Sequence, residues 1–160
     1  MLIFPAMTTA VRNNKVHFLF SIRQVEDIIQ KINICPVPFA PSYTEGLGWW
    51  REQVLPVISL ETCLGLEEKL SGKGSRFMLI RSAVQLKSRA ESGQPDGNSG
   101  VMRSIIKTHS SIRLSTLPIK CAPVAASWIP HQELVRGVYE WDQGFLIVVD
   151  INTILNGFEE

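Results

Sequence analysis

The apolar positions of this chain fall mostly in short blocks rich in Val, Ile, Leu and Phe, bounded by turn residues. That is the pattern of buried strands rather than of long amphipathic helices. The clearest blocks span residues 16–22, 54–60, 77–84, 101–106 and 145–151. Arg12-Asn13-Asn14-Lys15 reads as a hairpin turn joining an N-terminal strand to the first block. Residues 24–31 fit two patterns: one or two helical turns, or a strand carried by Val25, Ile28, Ile29 and Ile32. Ser59 and Asp150 are good N-cap residues, and each precedes a short segment ending near a glycine, Gly65 or Gly157. Both segments are therefore read as short helices. Residues 35–43 hold Pro36, Pro38 and Pro41, each without a ladder donor, so they form an extended connector and not a central strand. Pro38-Phe39-Ala40-Pro41 has the PxxP spacing, but no basic residue flanks it closely, and a rigid loop is the preferred reading. Residues 85–100 are polar and Gly/Ser-rich, with a turn signal at Pro95-Asp96-Gly97. They are expected to form a long mobile loop between two strands.

Two of these stretches are copies. Residues 46–64 align without a gap on residues 137–155. The identical pairs are Gly46/Gly137, Trp50/Trp141, Leu55/Leu146, Val57/Val148, Thr62/Thr153 and Leu64/Leu155. Apolar partners match at Leu47/Val138, Val54/Phe145, Ile58/Val149, Leu60/Ile151 and Cys63/Ile154. Two copies are too few for a solenoid. They predict a single domain, residues 1–160, built from two similar subdomains, each carrying strand, cap residue, short helix and glycine.

Composition alters this picture only in places. With 160 residues and 45% hydrophobic content, the chain is long and apolar enough to bury a core without staples. The net charge of +1 conceals an asymmetry: between Lys69 and Lys120 there are ten Lys/Arg against Glu91 and Asp96. Such a segment invites a nucleic-acid reading, but Phe77 is its only aromatic and a stacking platform needs several. A solvated basic face is the preferred reading. Cys35, Cys63 and Cys121 are odd in number, widely spaced and without metal-ligand spacing; His17, His109 and His131 are equally scattered. No metal, cofactor or redox role is expected. The first residues lack a basic n-region, no stretch approaches a membrane span, and a cytoplasmic location is expected.

No catalytic constellation emerges. Gly72-Lys73-Gly74-Ser75 lacks the P-loop spacing. Glu67 and Glu68 read as surface charges, and no Ser, His and Asp share a nucleophile-elbow pattern. Trp49 has two readings. Its neighbour Trp50 recurs as Trp141, which suggests packing, whereas Trp49 faces Glu140 in the repeat. It is thus either a packing residue or an exposed anchor of hot-spot type beside Arg51.

Taken in order, Gln24-Val25-Glu26-Asp27-Ile28-Ile29, Val37 to Tyr43, Gly46, Trp50-Arg51 and Val54 to Leu60 resemble the CheW family of chemotaxis coupling proteins. That family's first half runs V-x-E-I, then P-x-a-P-x-y-x-x-G, then L-R-G-x-x-x-P-V-x-D-L. Gly137 and Phe145 to Leu155 resemble its closing strand and helix start. The resemblance implies an all-β fold with short helices, in which two intertwined five-stranded barrels are related by a pseudo-two-fold. It implies a non-catalytic adaptor, joining the regulatory domain of a CheA-type histidine kinase to the cytoplasmic tip of chemoreceptors. The family's contact positions fall on Val25, Asp27, Gly46 and Arg51, with Trp49 and Pro56 as neighbours of that surface. Arg51 would provide a fixed positive group at the barrel junction. Two departures stand out: Glu52 replaces the Gly after the motif's Arg, where it would partly neutralise Arg51, and Ser59 replaces the Asp of P-V-x-D-L. A different class of function also stays open, a small β-barrel enzyme or ligand carrier using the subdomain junction.

Overall fold

The structure, a computed structural model, describes residues 2–5, 15–66, 76–85, 99–108, 112–116 and 119–156. In chain order the strands are β1 (Leu2–Pro5), β2 (Lys15–Phe20), β3 (Val25–Ile29), β4 (Ile34–Cys35), β5 (Thr44–Trp50) and β6 (Gln53–Ile58). They continue as β7 (Arg76–Gln85), β8 (Ser99–Thr108), β9 (Arg113–Leu114), β10 (Ala122–Val124), β11 (Val135–Trp141) and β12 (Gly144–Val149). Helix α1 (Leu60–Cys63) follows β6 and helix α2 (Ile151–Leu155) follows β12. The two predicted helices are present with their predicted caps. Ser59 Oγ accepts from Thr62 N–H, and Asp150 Oδ1 accepts from Asn152 and Thr153 N–H. Residues 24–31 take the strand alternative, behind a single 3-10 turn over Ile22–Gln24. The hairpin turn at residues 12–14, the glycine-rich motif, the acids Glu67 and Glu68, and the loop interior at 86–98 all lie outside the described residues.

The strands form two six-stranded sheets, ordered β10-β11-β12-β2-β1-β9 and β4-β5-β6-β8-β7-β3. These orders superpose element for element. In each, a repeat hairpin (β11-β12 or β5-β6) meets a second hairpin (β2-β1 or β8-β7) through one parallel ladder, β12 with β2 and β6 with β8. The internal repeat is therefore a topological duplication. The copies even share an irregularity: the β5/β6 register slips between Thr44 and Gly46, and the β11/β12 register between Val135 and Gly137. The all-β expectation holds. Among the described residues the sheets are open and six-stranded, in place of closed five-stranded barrels. Their intertwining is explicit, because the N-terminal strands β1 and β2 complete the sheet made by β9–β12 while β3–β8 build the other.

The main core lies where the two sheets and both helices meet, around Phe18, Phe20, Leu60, Leu64, Met78, Ile80, Ile106, Ile147 and Ile151. Cys63 is buried there as the repeat predicts, in the same cluster as its counterpart Ile154. Smaller clusters occupy the inner face of each sheet: Leu55, Val57, Phe77, Leu79 and Ile105 in one, Leu19 and Leu146 in the other. A hydrogen bond from Ser82 Oγ to Asn152 Oδ1 ties the β7 strand to α2. Among the described residues, part of the sequence's charge asymmetry is balanced in space. Arg103 and Arg81 pair with Glu26, Lys107 with Glu45, and Arg113 with Asp142. Four basic side chains of the central segment thus meet acids from outside it.

His17 is an oddity of the sheet formed by β1, β2 and β9–β12. It is buried, its ring stands edge-on to Trp141 at 5.1 Å, and its Nδ1 lacks a hydrogen-bond partner among the described residues. Burial pushes its pKa down, and nearby Arg113 and Lys15 act in the same direction. A carbonyl contact at Phe145 and the charge of Asp142 oppose this without reversing it. The unfolded chain therefore takes a proton at this position more readily than the folded one. Stability contributed by His17 is present above the ordinary histidine pKa of about 6.5 and declines as pH falls below it. Urea midpoints measured at pH 7.5 and 5.5 should show a drop in the parent that is smaller in His17→Phe. An equal drop in both would remove His17 as its source.

Candidate partner-binding surface

Strand β3 begins at a capped turn. Gln24 Oε1 accepts from Ser21 N–H at 3.2 Å and Ser21 Oγ accepts from Arg23 N–H at 3.3 Å, which sets the angle at which the chain enters the sheet. The strand pairs with β7 on one side and is the outermost strand of its sheet. A register slip between Val25 and Asp27 makes Glu26 a bulged residue. Bulges re-aim side chains, and this one delivers Glu26 to Arg103 of β8. Arg103 Nε donates to Oε2 at 2.7 Å and Nη2 to Oε1 at 3.1 Å, a forked pair with Arg81 Nη1 3.7 Å away. The hydrogen bond from Arg103 holds the Glu26 carboxyl below the usual carboxylate range, helped by the charges of Arg103, Arg81 and Arg51; partial burial opposes it. Planar forks of this kind are the strong form of ion pair and are hard to distort.

Asp27 is engaged as well. Its Oδ1 accepts from Ile28 N–H at 2.8 Å and its Oδ2 accepts from Trp50 Nε1 at 3.1 Å. Trp50, half-buried against the inner cluster of its sheet, is the last residue of β5. Arg51 follows in the tight β5–β6 turn at φ +49°, and its guanidinium lies over the Trp50 ring, 4.5 Å from the centroid. No ion pair joins Arg51 to Glu52 among the described residues, so the local neutralisation expected from Glu52 does not take that form. Asp27, Trp50 and Arg51 thus form one chain of contacts that the sequence did not announce.

Of the other anticipated positions, Val25 is half-buried against the main core. Gly46 is buried beneath β4 at φ +147°, and Pro56 is half-buried with its carbonyl accepting from Ser104 Oγ at 2.9 Å. Trp49, at 64% exposure, is solvent-facing, which settles its two readings in favour of exposure. Two open grooves result. One, of about 480 Å³, is lined by Ile22, Val25, Glu26, Asp27, Ile28 and Leu114; the other, of about 510 Å³, by Trp50, Arg51, Glu52, Gln53 and Arg103. The Glu26–Arg103 fork spans from one to the other. Sequence reading missed Glu26, Arg103 and Leu114, because their juxtaposition depends on pairing between distant strands. Nothing in these grooves resembles a reaction centre: Glu26 is tied to arginine and Asp27 to indole and backbone. No group of three or more His, Cys, Asp or Glu able to hold a metal occurs among the described residues.

The CheW-like domain family model matches residues 7–159. The chain belongs to the CheW-like domain family. The chemotaxis protein CheW of Treponema pallidum (strain Nichols) is 24% identical over 138 residues, covering 86% of this chain and 75% of that protein. The crystal structure of the scaffolding protein TtCheW from Thermoanaerobacter tengcongensis shares the fold, with a TM-score of 0.61 at 16% identity, over 94% of this chain and 84% of that one. As a CheW-like protein, this chain is a non-catalytic scaffold of the chemotaxis type, and the enzyme alternative falls with that assignment. No helix among the described residues is long and apolar enough to cross a membrane.

Proposed function

We propose that this protein, one CheW-like domain across residues 1–160, couples chemoreceptors to a CheA-type histidine kinase in the cytoplasm. It works by surface complementarity and binds the kinase's regulatory domain and the receptors' cytoplasmic tip. The family match across nearly the whole chain carries this reading. The geometry supports it: Val25 and Asp27 line one groove, Arg51 lines the other, and both grooves lie against the Glu26–Arg103 fork. Trp49 and Pro56 lie on the outer face of the hairpin that carries Arg51, while Gly46 shapes that hairpin from within. A rigid corner of this kind docks a partner at low cost in lost side-chain freedom. Arg51, stacked yet exposed, orients the partner by charge.

The test is a titration against the regulatory domain of a CheA-type kinase from the same source. Saturable binding is expected, weakened about tenfold by Arg51→Ala, as for an interface residue worth more than 1 kcal/mol. Arg51 is exposed, and Ala would take the same left-handed backbone at a similar cost, so its replacement should not unfold the protein, and thermal midpoints of both proteins verify this. Absence of binding at high concentration would end the kinase-coupling reading and leave the scaffold fold intact.

A further inference from the structure

The outer face of the β4–β5–β6 corner is bare. Register puts Leu47 opposite both Cys35 and Pro56, and Trp49 opposite Val54, so these five side chains form one continuous face across three strands. Four of them are exposed and Pro56 is half-exposed. None is charged. Beside it, the connection from β4 to β5 carries Phe39, fully exposed and at φ +62°. A bulky residue in the left-handed region is an outlier, and such strain is retained where the residue's placement serves something. Pro36, Pro38 and Pro41 stiffen this loop, and Thr44 N–H closes it on the Pro41 carbonyl at 2.9 Å.

The second repeat shows what covers such a face. Val138, Phe145 and Ile147 occupy the positions of Leu47, Val54 and Pro56 in the other sheet. Val138 and Ile147 are buried, and Phe145 is covered by Trp128, with ring centroids 4.9 Å apart. Trp128 comes from the connection between β10 and β11, the counterpart of the connection that carries Phe39. In the second repeat, then, the loop aromatic packs on its own sheet. In the first, the aromatic points to solvent and the face lies uncovered.

We propose that this corner is a homotypic interface, in which Phe39 of one copy seats on Leu47, Trp49 and Val54 of a second copy. The contact reproduces between chains what Trp128 and Phe145 make within one. A face without charge does not repel itself, whereas a partner selected by charge would find nothing here to read. An isologous arrangement places both Phe39 side chains on both faces and closes as a dimer. The contact involves neither groove, but it takes up Trp49 and Pro56, which border the surface proposed for kinase coupling.

Sedimentation velocity between about 1 and 500 µM tests it, a range in which weak dimers are resolved. Reductant is included so that exposed Cys35 and Cys121 cannot cross-link. The parent should pass from monomer to dimer. Phe39→Asn, which suits the left-handed backbone, and Trp49→Ser should each remain monomeric, with thermal midpoints at 1 µM unchanged or raised. A parent that stays monomeric throughout overturns the proposal, as does dimerisation that survives both substitutions. A monomeric parent whose Phe39→Asn variant loses affinity for the kinase regulatory domain would instead assign the face to that partner.

Discussion

Gly144→Ala is expected to cost the protein about 3 kcal/mol of stability or more, at the upper end of what overpacking a close contact does. Gly144 opens β12 and pairs with Lys15 in the parallel ladder to β2. A Cβ added there would overlap the Lys15 carbonyl oxygen and lie only 3.0 Å from the carbonyl carbon. The obstacle is main chain, which cannot swing aside as a flexible side chain can. Either β12 or β2 must retreat, and this ladder is the longer of the two that hold the N-terminal hairpin in a sheet otherwise made of C-terminal strands, the other being the short β1–β9 pairing. Urea unfolding followed by tryptophan fluorescence measures the effect. The midpoint should fall with little change in slope. A loss under about 0.5 kcal/mol, the range of an inconsequential surface change, would show that the ladder tolerates the displacement.

Gly46→Ala is expected to lower stability by about 2–3 kcal/mol through a different combination of causes. Its φ of +147° is one that side-chain-bearing residues rarely adopt, and an added Cβ would overlap the Cys35 carbonyl oxygen, 2.8 Å from its carbon. The two-residue strand β4 would be driven off the edge of β5, with Ile34 leaving the inner cluster it packs against. The family resemblance places Gly46 among contact positions, and the structure buries it. Loss of kinase binding in Gly46→Ala should therefore accompany loss of stability, and should shrink when titrations are run cold enough to keep the variant folded. A variant with the parent's unfolding midpoint but no affinity would instead make Gly46 a direct contact. Arg51→Ala supplies the contrasting case, in which affinity is lost at unchanged stability.

Much of this molecule was legible along the chain, because it rests on local physics. Short Val/Ile/Leu/Phe runs became strands, since their side chains alternate between two buried faces or a buried and a wet one. Ser59 and Asp150 capped their helices because a side-chain oxygen near an unsatisfied N–H is a matter of a few bonds. The repeat foretold one strand order used twice, the burial of Cys63 and the separate fates of Trp49 and Trp50. Its reach ended where contacts depend on how strands from distant parts of the chain come into register. Only the tertiary structure returned β1 and β2 to the C-terminal sheet, and only there did Glu26, Glu45 and Asp142 meet the cations of the central segment. Likewise, the sequence marks Asp27 only as a contact position implied by resemblance, yet a slip of register at Glu26 turns it toward the Trp50 indole. Phe39 is the converse: a proline-flanked aromatic that hydrophobicity alone would place inside, held in solvent by a left-handed backbone between prolines. Hydrophobic pattern and capping are set by neighbours in sequence; charge pairing, close glycine approach and exposed aromatics are set by neighbours in space.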